Sequence, residues 1–163
     1  MAASELSAQL WKERELLEML LFKLEEEQLL LVAGRSRWIA HATREVEQVI
    51  ERMRFVGLAR TVEVAAVAEA WGIDPESSLR QLAAAAPDGI WSDIFGSHLA
   101  AMTELTRQIA EVRDTNERLL REASRSTQET LSGLAGGAGP GLYDASGDNR
   151  AADAGSRFFD TEA

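Results

Sequence analysis

Residues 10–32 read LWKERELLEMLLFKLEEEQLLLV, and this stretch decides the fold class. Leucines recur in it every seven residues, at Leu10, Leu17, Leu24 and Leu31. A seven-residue spacing returns each side chain to one face of an α-helix. The stretch therefore predicts a long amphipathic helix from about Ser4 to Val32, and Gly34 is expected to end it.

A second helix is predicted from about Arg37 to Val56, with Gly57 ending it. Its apolar residues alternate between three- and four-residue steps, at Ile39, Ala42, Val46, Val49, Met53 and Val56. Two amphipathic helices joined by so short a turn predict an antiparallel hairpin. Two short helices are expected next, one over residues 61–71 and one beginning at Asp74 and Pro75.

The last helix is predicted to be the longest, from about Ile90 to Leu131. Its seam, the set of positions facing a neighbouring helix, comprises Phe95, His98, Met102, Leu105, Ile109, Val112, Asn116, Leu119 and Ala123. A polar residue such as Asn116 on a seam fixes register or marks a weaker stretch.

These patterns predict an all-α fold. We expect an elongated helical bundle or antiparallel coiled-coil-like hairpin, with a long C-terminal helix and a disordered tail. The helical domain is predicted over residues 1–132, and a flexible Gly-rich tail over residues 133–163 because the glycines from Gly133 onward disfavour helix.

The negative net charge disfavours two classes of binding partner, nucleic acids and anionic membranes. The net charge is −10, so neither a nucleic-acid backbone nor an anionic membrane surface attracts the chain. No apolar stretch is long enough to span a bilayer, and the N-terminus has no basic region of a secretory signal. We expect a cytoplasmic protein without membrane insertion.

Residues able to carry chemistry are few. Cysteine is absent, and His41 with Glu45 forms a single i,i+4 pair, whereas a structural metal site needs about four ligands. Glu25, Glu26 and Glu27 are consecutive on a helix and diverge around its axis. We expect no enzyme activity, no cofactor and no metal.

Residues 10–53, LWKERELLEMLLFKLEEEQLLLVAGRSRWIAHATREVEQVIERM, resemble the N-terminal half of the FlgN-like flagellar export chaperones. The resemblance extends over roughly residues 6–144 and includes the long closing helix and a lone LYD in the tail. It implies a chaperone that binds the C-terminal helices of flagellar hook-associated proteins, prevents their premature assembly and delivers them to the export gate. By the same resemblance, Leu142 and Tyr143 are expected to dock on that gate.

Two other functions fit the same residues. A permanent structural coiled-coil adaptor would use the same helical seams. A DNA-associated regulator would use residues 67–82, where Gly72 separates two short helices as in a helix-turn-helix. That segment carries one arginine, Arg80, against Glu69, Asp74 and Glu76, which disfavours DNA binding.

The client is expected on the long last helix. If that helix packs antiparallel to the shorter first helix, part of its apolar seam projects and stays exposed. The predicted client-binding residues are Leu105, Ile109, Val112, Leu119, Leu120 and Ala123. The same seam could instead be covered by the hairpin or by a second copy in a homodimer, so the sequence leaves the oligomeric state open. A second apolar pair, Phe158 and Phe159, has no assigned role.

Overall fold

The computed structural model describes residues 1–137. Within this range it has four helices and no strand: α1 (Ala2–Val32), α2 (Ser36–Trp71), α3 (Leu79–Ala85) and α4 (Gly89–Gly137). The predicted all-α fold is confirmed for these residues. The chain divides into two compact units, Met1–Leu119 and Leu120–Ala163, and α4 contributes residues to both.

The seam of α1 follows the heptad pattern read from its leucines. Its buried residues alternate three- and four-residue steps over the whole helix, and they are Ala3, Leu6, Leu10, Glu13, Leu17, Leu20, Leu24 and Glu27. The helix ends where Gly34 adopts a left-handed conformation with φ of 65°. The Arg35 amide then reaches back to the Leu30 carbonyl, which satisfies one of the last free carbonyls of the helix.

Helix α2 pairs antiparallel with α1. Its residues contact α1 in reverse order, as Thr43 bonds to Glu27 and Arg60 bonds to Glu13. The predicted hairpin is therefore present, but the prediction that Gly57 ends its second helix is wrong. The seam keeps its phase through Met53, Val56, Arg60, Val64 and Val67, so packing against α1 offsets the roughly 1 kcal/mol that one helical glycine costs.

The length of α2 sets where α4 begins. With 36 residues it spans about 54 Å, slightly more than the 31 residues of α1, so the chain returns to the start of α1. Gly72 ends α2 with φ of 70°. The short helix α3 follows, and its N-cap is Ser78 rather than the predicted Asp74, because Ser78 and Gln81 form a reciprocal capping box.

Helix α4 then runs parallel to α1 within Met1–Leu119. Ser7 lies 3.2 Å from His98 near the start of α1, and the Leu24 carbonyl lies 2.8 Å from Asn116 much later in both helices. The antiparallel arrangement assumed from the sequence is therefore wrong. Asp88 caps the N-terminus of α4 by accepting a hydrogen bond from the Trp91 amide.

Two clusters of buried apolar residues hold this unit together. The larger one joins all four helices, and its fully buried side chains include Leu6, Leu10, Val67, Leu82 and Phe95. Burying a side chain such as Phe95 stabilises the fold by about 1.5–3 kcal/mol. The smaller cluster comprises Leu20, Leu24, Val46 and Val49, where α1 and α2 approach their connecting turn.

Candidate functional site

The first half of the predicted client site lies against the core. Leu105 and Ile109 pack on the larger cluster, while Ile109 and Val112 pack on the smaller one, and all three are half-buried. Leu119, the last residue of this unit, is also half-buried. These four side chains therefore divide their surface between the interior and solvent.

The second half of the predicted site lies on the part of α4 that belongs to the other unit. Leu120 is half-buried and Ala123 is exposed, as is every residue from 121 to 136. Among them, Leu131 is 61% and Leu134 is 69% exposed. These apolar side chains are therefore open to solvent on a helical segment of the chain.

The half-buried Leu120 and four exposed residues share one face of α4. They follow one another in steps of three or four residues, which aligns them along the helix: Leu120, Ala123, Thr127, Leu131 and Leu134. We call this set the α4 stripe. The positions beside it are polar and uncharged, and they are Ser124, Gln128 and Thr130, whereas Arg125 and Glu129 lie on the opposite face of the helix.

The predicted site residues did not include the last three members of the α4 stripe, Thr127, Leu131 and Leu134, and Leu134 also lay beyond the predicted helix. The sequence prediction ended the helix at Leu131 because Gly133 and Gly136 disfavour helix, whereas α4 continues to Gly137. Extending an existing helix requires no new nucleus, so isolated glycines near its end are tolerated. The three- and four-residue spacing would have identified Leu134 if the helix had been extended.

A buried polar cluster joins α4 to the hairpin just before the α4 stripe begins. Asn116 donates from Nδ2 to the Leu24 carbonyl at 2.8 Å and to Glu27 Oε2 at 3.1 Å. Thr43 donates from Oγ1 to Glu27 Oε1 at 2.6 Å. One side chain from each of α1, α2 and α4 thus meets in the interior. A polar seam residue was predicted either to fix register or to mark a weaker stretch, and these partners favour a role of Asn116 in the register of α4.

An ion pair joins the two helices of the hairpin. Arg60 donates from Nη1 to Glu13 Oε1 at 2.8 Å, and Glu13 is buried. Burial raises the pKa of the Glu13 carboxyl, and Arg60 opposes that shift.

His98 packs beside Trp11, whose ring meets it edge-on with centroids 5.2 Å apart. The imidazole Nε2 lies 3.2 Å from Ser7 Oγ. Burial, with a smaller effect from Arg14, lowers the pKa of His98 below 6.5. The residue thus acts as a packed, neutral seam side chain.

The two residues of the predicted i,i+4 pair are in contact. His41 Nε2 lies 3.4 Å from one carboxylate oxygen of Glu45, and Lys23 binds the other oxygen at 2.7 Å. The Lys23 hydrogen bond lowers the pKa of Glu45. Within residues 1–137 no cluster of three or more metal-ligating side chains occurs.

A family model described as FlgN protein matches residues 1–151. The chain belongs to the FlgN family. FlgN proteins are flagellar chaperones rather than enzymes, and a chaperone needs a surface that binds another protein. The α4 stripe is a candidate for that surface. No curated protein and no solved structure matches the chain.

Two further points complete the comparison with the sequence predictions. Among residues 1–137, none of the helices combines the length and apolarity that crossing a bilayer requires. The predicted gate-docking pair, Leu142 and Tyr143, lies outside the described residues, as do Phe158 and Phe159.

Proposed function

We propose that this FlgN protein is a cytoplasmic export chaperone for flagellar hook-associated proteins. It binds their C-terminal helices, keeps them from assembling prematurely and delivers them to the export gate. The observation that supports this most directly is the α4 stripe, a largely apolar helix face whose members beyond Leu120 are all exposed.

The α4 stripe has the form that an amphipathic client helix recognises. Apolar anchors at i, i+3 and i+7 spacing are what helix-in-groove and coiled-coil contacts use. A client helix laid on Leu131 and Leu134 would remove two leucines from water, worth about 1.5–3 kcal/mol each. Client assembly surfaces that would otherwise associate with one another would be covered in the same step.

The predicted client-binding residues contribute unequally to this proposal. Leu120 and Ala123 belong to the α4 stripe and are its first two members. Leu105, Ile109, Val112 and Leu119 keep half-exposed side chains that a client could also contact. Because the first three of these also support the core, charge substitutions there would mix loss of folding with loss of binding.

The clean test therefore uses the exposed leucines. We expect Leu131→Asp combined with Leu134→Asp to weaken binding of a purified hook-associated protein by at least about tenfold. Thermal unfolding and helical circular dichroism should stay close to those of the wild type, since both positions are exposed. Leu29→Asp, at an exposed leucine of α1, is the matched control and should bind the client normally.

An unchanged client affinity in the Leu131/Leu134 variant would reject the α4 stripe as the binding surface. Failure of the wild-type chain to bind any hook-associated protein would reject the proposed function itself. A stable complex with DNA would favour the regulator, and a stoichiometric complex that never releases its partner would favour the structural adaptor.

Delivery to the export gate is proposed through Leu142 and Tyr143. Tyr143→Ala should reduce binding to the gate and secretion of the client while leaving client affinity intact. A loss of client affinity in that variant, or no loss of gate binding, would contradict the assignment.

A further inference from the structure

A second apolar stripe lies on α2, outside the seam that α2 forms with α1 and separate from the α4 stripe. Phe55, Leu58 and Val62 are 67%, 68% and 67% exposed, and they follow i, i+3 and i+7 spacing. The exposed Ala59 and Ala66 extend the same face. We call these five residues the α2 stripe.

The α2 stripe points away from the core. The opposite side of the same helix segment carries Val56, Arg60, Val64 and Val67, the half-buried or buried residues that form the seam with α1. Single exposed apolar side chains are ordinary on protein surfaces. Three large apolar side chains in one row, extended by two alanines, mark an interaction surface. The core of the Met1–Leu119 unit does not require any of them.

The charges beside the α2 stripe favour a second copy of this chain as the occupant. One flank carries Arg52 before the centre of the stripe and Glu63 after it. Neither forms an ion pair with another described residue within residues 1–137. A flank with charges of one sign would favour a partner of the opposite charge. This flank has a positive charge at one end and a negative charge at the other. Two copies in antiparallel orientation therefore bring each positive charge against the negative charge of the other copy.

We propose that the α2 helices of two copies cross antiparallel about a two-fold axis at Leu58. In such a pair identical flanks face each other. Leu58 then meets Leu58 of the second copy, and Phe55, three residues before, meets Val62, four residues after. Arg52, six residues before Leu58, meets Glu63, five residues after, so the axis generates two symmetric ion pairs.

The far ends of α2 limit the extent of this contact. Glu47 and Glu69 would approach each other if the two helices ran side by side along their whole length, and their like charges would oppose it. The helices therefore cross at an angle and touch only around the α2 stripe. So small an interface implies a reversible dimer with a dissociation constant on the order of micromolar.

The inference does not depend on the client or on the export gate, and the full-length chain alone tests it. Sedimentation velocity over a concentration series at low salt should show a monomer–dimer equilibrium. Leu58→Asp should remain monomeric at all concentrations with unchanged thermal unfolding, because Leu58 is exposed in the monomer. The matched controls Leu29→Asp and Leu131→Asp with Leu134→Asp should dimerise like the wild type.

Charge exchange tests the orientation. Arg52→Glu alone and Glu63→Arg alone each place like charges opposite each other twice, so each should weaken the dimer by roughly five- to tenfold. The double variant Arg52→Glu/Glu63→Arg should restore the wild-type dissociation constant. A monomeric wild type at concentrations near 1 mM, a dimer unaffected by Leu58→Asp, loss of the dimer in the Leu131/Leu134 control, or no rescue in the double variant would each overturn the proposal.

Discussion

The Asn116 side chain donates from Nδ2 to the main-chain oxygen of Leu24 at 2.8 Å, in a site where Asn116 is 2% exposed. This bond joins α4 to α1 at one position along both helices. An apolar residue there would allow the two helices to slide by a heptad, whereas the amide finds its partners in one register only. The bond therefore favours one register of α4 against α1, while the length of α2 sets the direction of α4.

Replacing that amide with an acid should disrupt the register. Asn116→Asp places a second carboxylate about 3 Å from Glu27 in the interior. We expect a loss of about 2–4 kcal/mol in the free energy of unfolding at neutral pH, measured by urea denaturation. Ser124→Asp, which adds the same charge at an exposed position of α4, should change stability by less than about 0.5 kcal/mol. Equal effects of the two variants would contradict the role of Asn116.

The Glu13–Arg60 ion pair is expected to matter mainly because Glu13 is buried. Arg60→Met should destabilise the hairpin by about 1–3 kcal/mol at neutral pH, since it leaves a buried carboxylate without its partner. Burial already raises the pKa of Glu13, and loss of Arg60 should raise it further. A carboxyl whose pKa is raised in the folded state destabilises the fold only when it is ionised. The stability that Arg60→Met loses relative to the wild type should therefore become smaller as pH falls.

The double variant Glu13→Leu/Arg60→Met provides the matched control for that pair. It removes the Glu13 carboxylate, which Arg60→Met leaves buried without a partner. Most of the lost free energy of unfolding should therefore return, and the pH dependence of the loss should disappear. A double variant that is as unstable as Arg60→Met alone, in the same urea titration, would show that Arg60 acts through its packing instead.

His98 should make the fold less stable in mild acid. Its pKa is lowered in the folded state by burial, so the unfolded chain, with a pKa near 6.5, binds the proton more readily. This favours unfolding as pH falls through 6.5, and has no effect above that value. His98→Leu should therefore lose less stability than the wild type between about pH 7.5 and pH 5.5. Urea denaturation of both proteins across this range measures the difference, and identical pH profiles for His98→Leu and the wild type would contradict the assignment.

The two glycines of α2 should respond in opposite directions to alanine. Gly57 lies inside the helix and a Cβ there would meet no atom within 4 Å, so Gly57→Ala should stabilise by about 0.5–1 kcal/mol. Gly72 has φ of 70°, which a Cβ disfavours, so Gly72→Ala should destabilise by about 1 kcal/mol. Thermal unfolding measures both, and a destabilising Gly57→Ala would show that α2 is interrupted after all.

Much of the hairpin could be predicted from the sequence because its seam is apolar. The heptad of Leu10, Leu17 and Leu24 located the buried face of α1, and Gly34 marked the turn. The continuation of α2 was missed because Gly57 was expected to end the helix. Beyond Gly57 the seam passes through the polar Arg60, whose partner Glu13 comes from another helix. Pairs of this kind form only in the folded state and leave no periodic signal in either helix.

The direction of α4 was missed for a related reason. A second helix that stops at Val56 brings the chain only part of the way back along α1, whereas one that reaches Trp71 returns it to the start. One error in helix length therefore reversed the expected direction of the last helix. An exposed segment of α4 was still predicted, because that prediction rested on the last helix being longer than the first.

The central claim, that the α4 stripe receives the client, is tested most directly by amide hydrogen exchange of the full-length chain with and without a purified hook-associated protein. In the free chain, residues 120–136 should exchange much faster than the buried seam of α1, because an exposed helical segment opens easily. The client should slow exchange most strongly in peptides that cover residues 120–136, while those covering the seam of α1 change little. Strong client protection elsewhere, with unchanged exchange over residues 120–136, would contradict the claim.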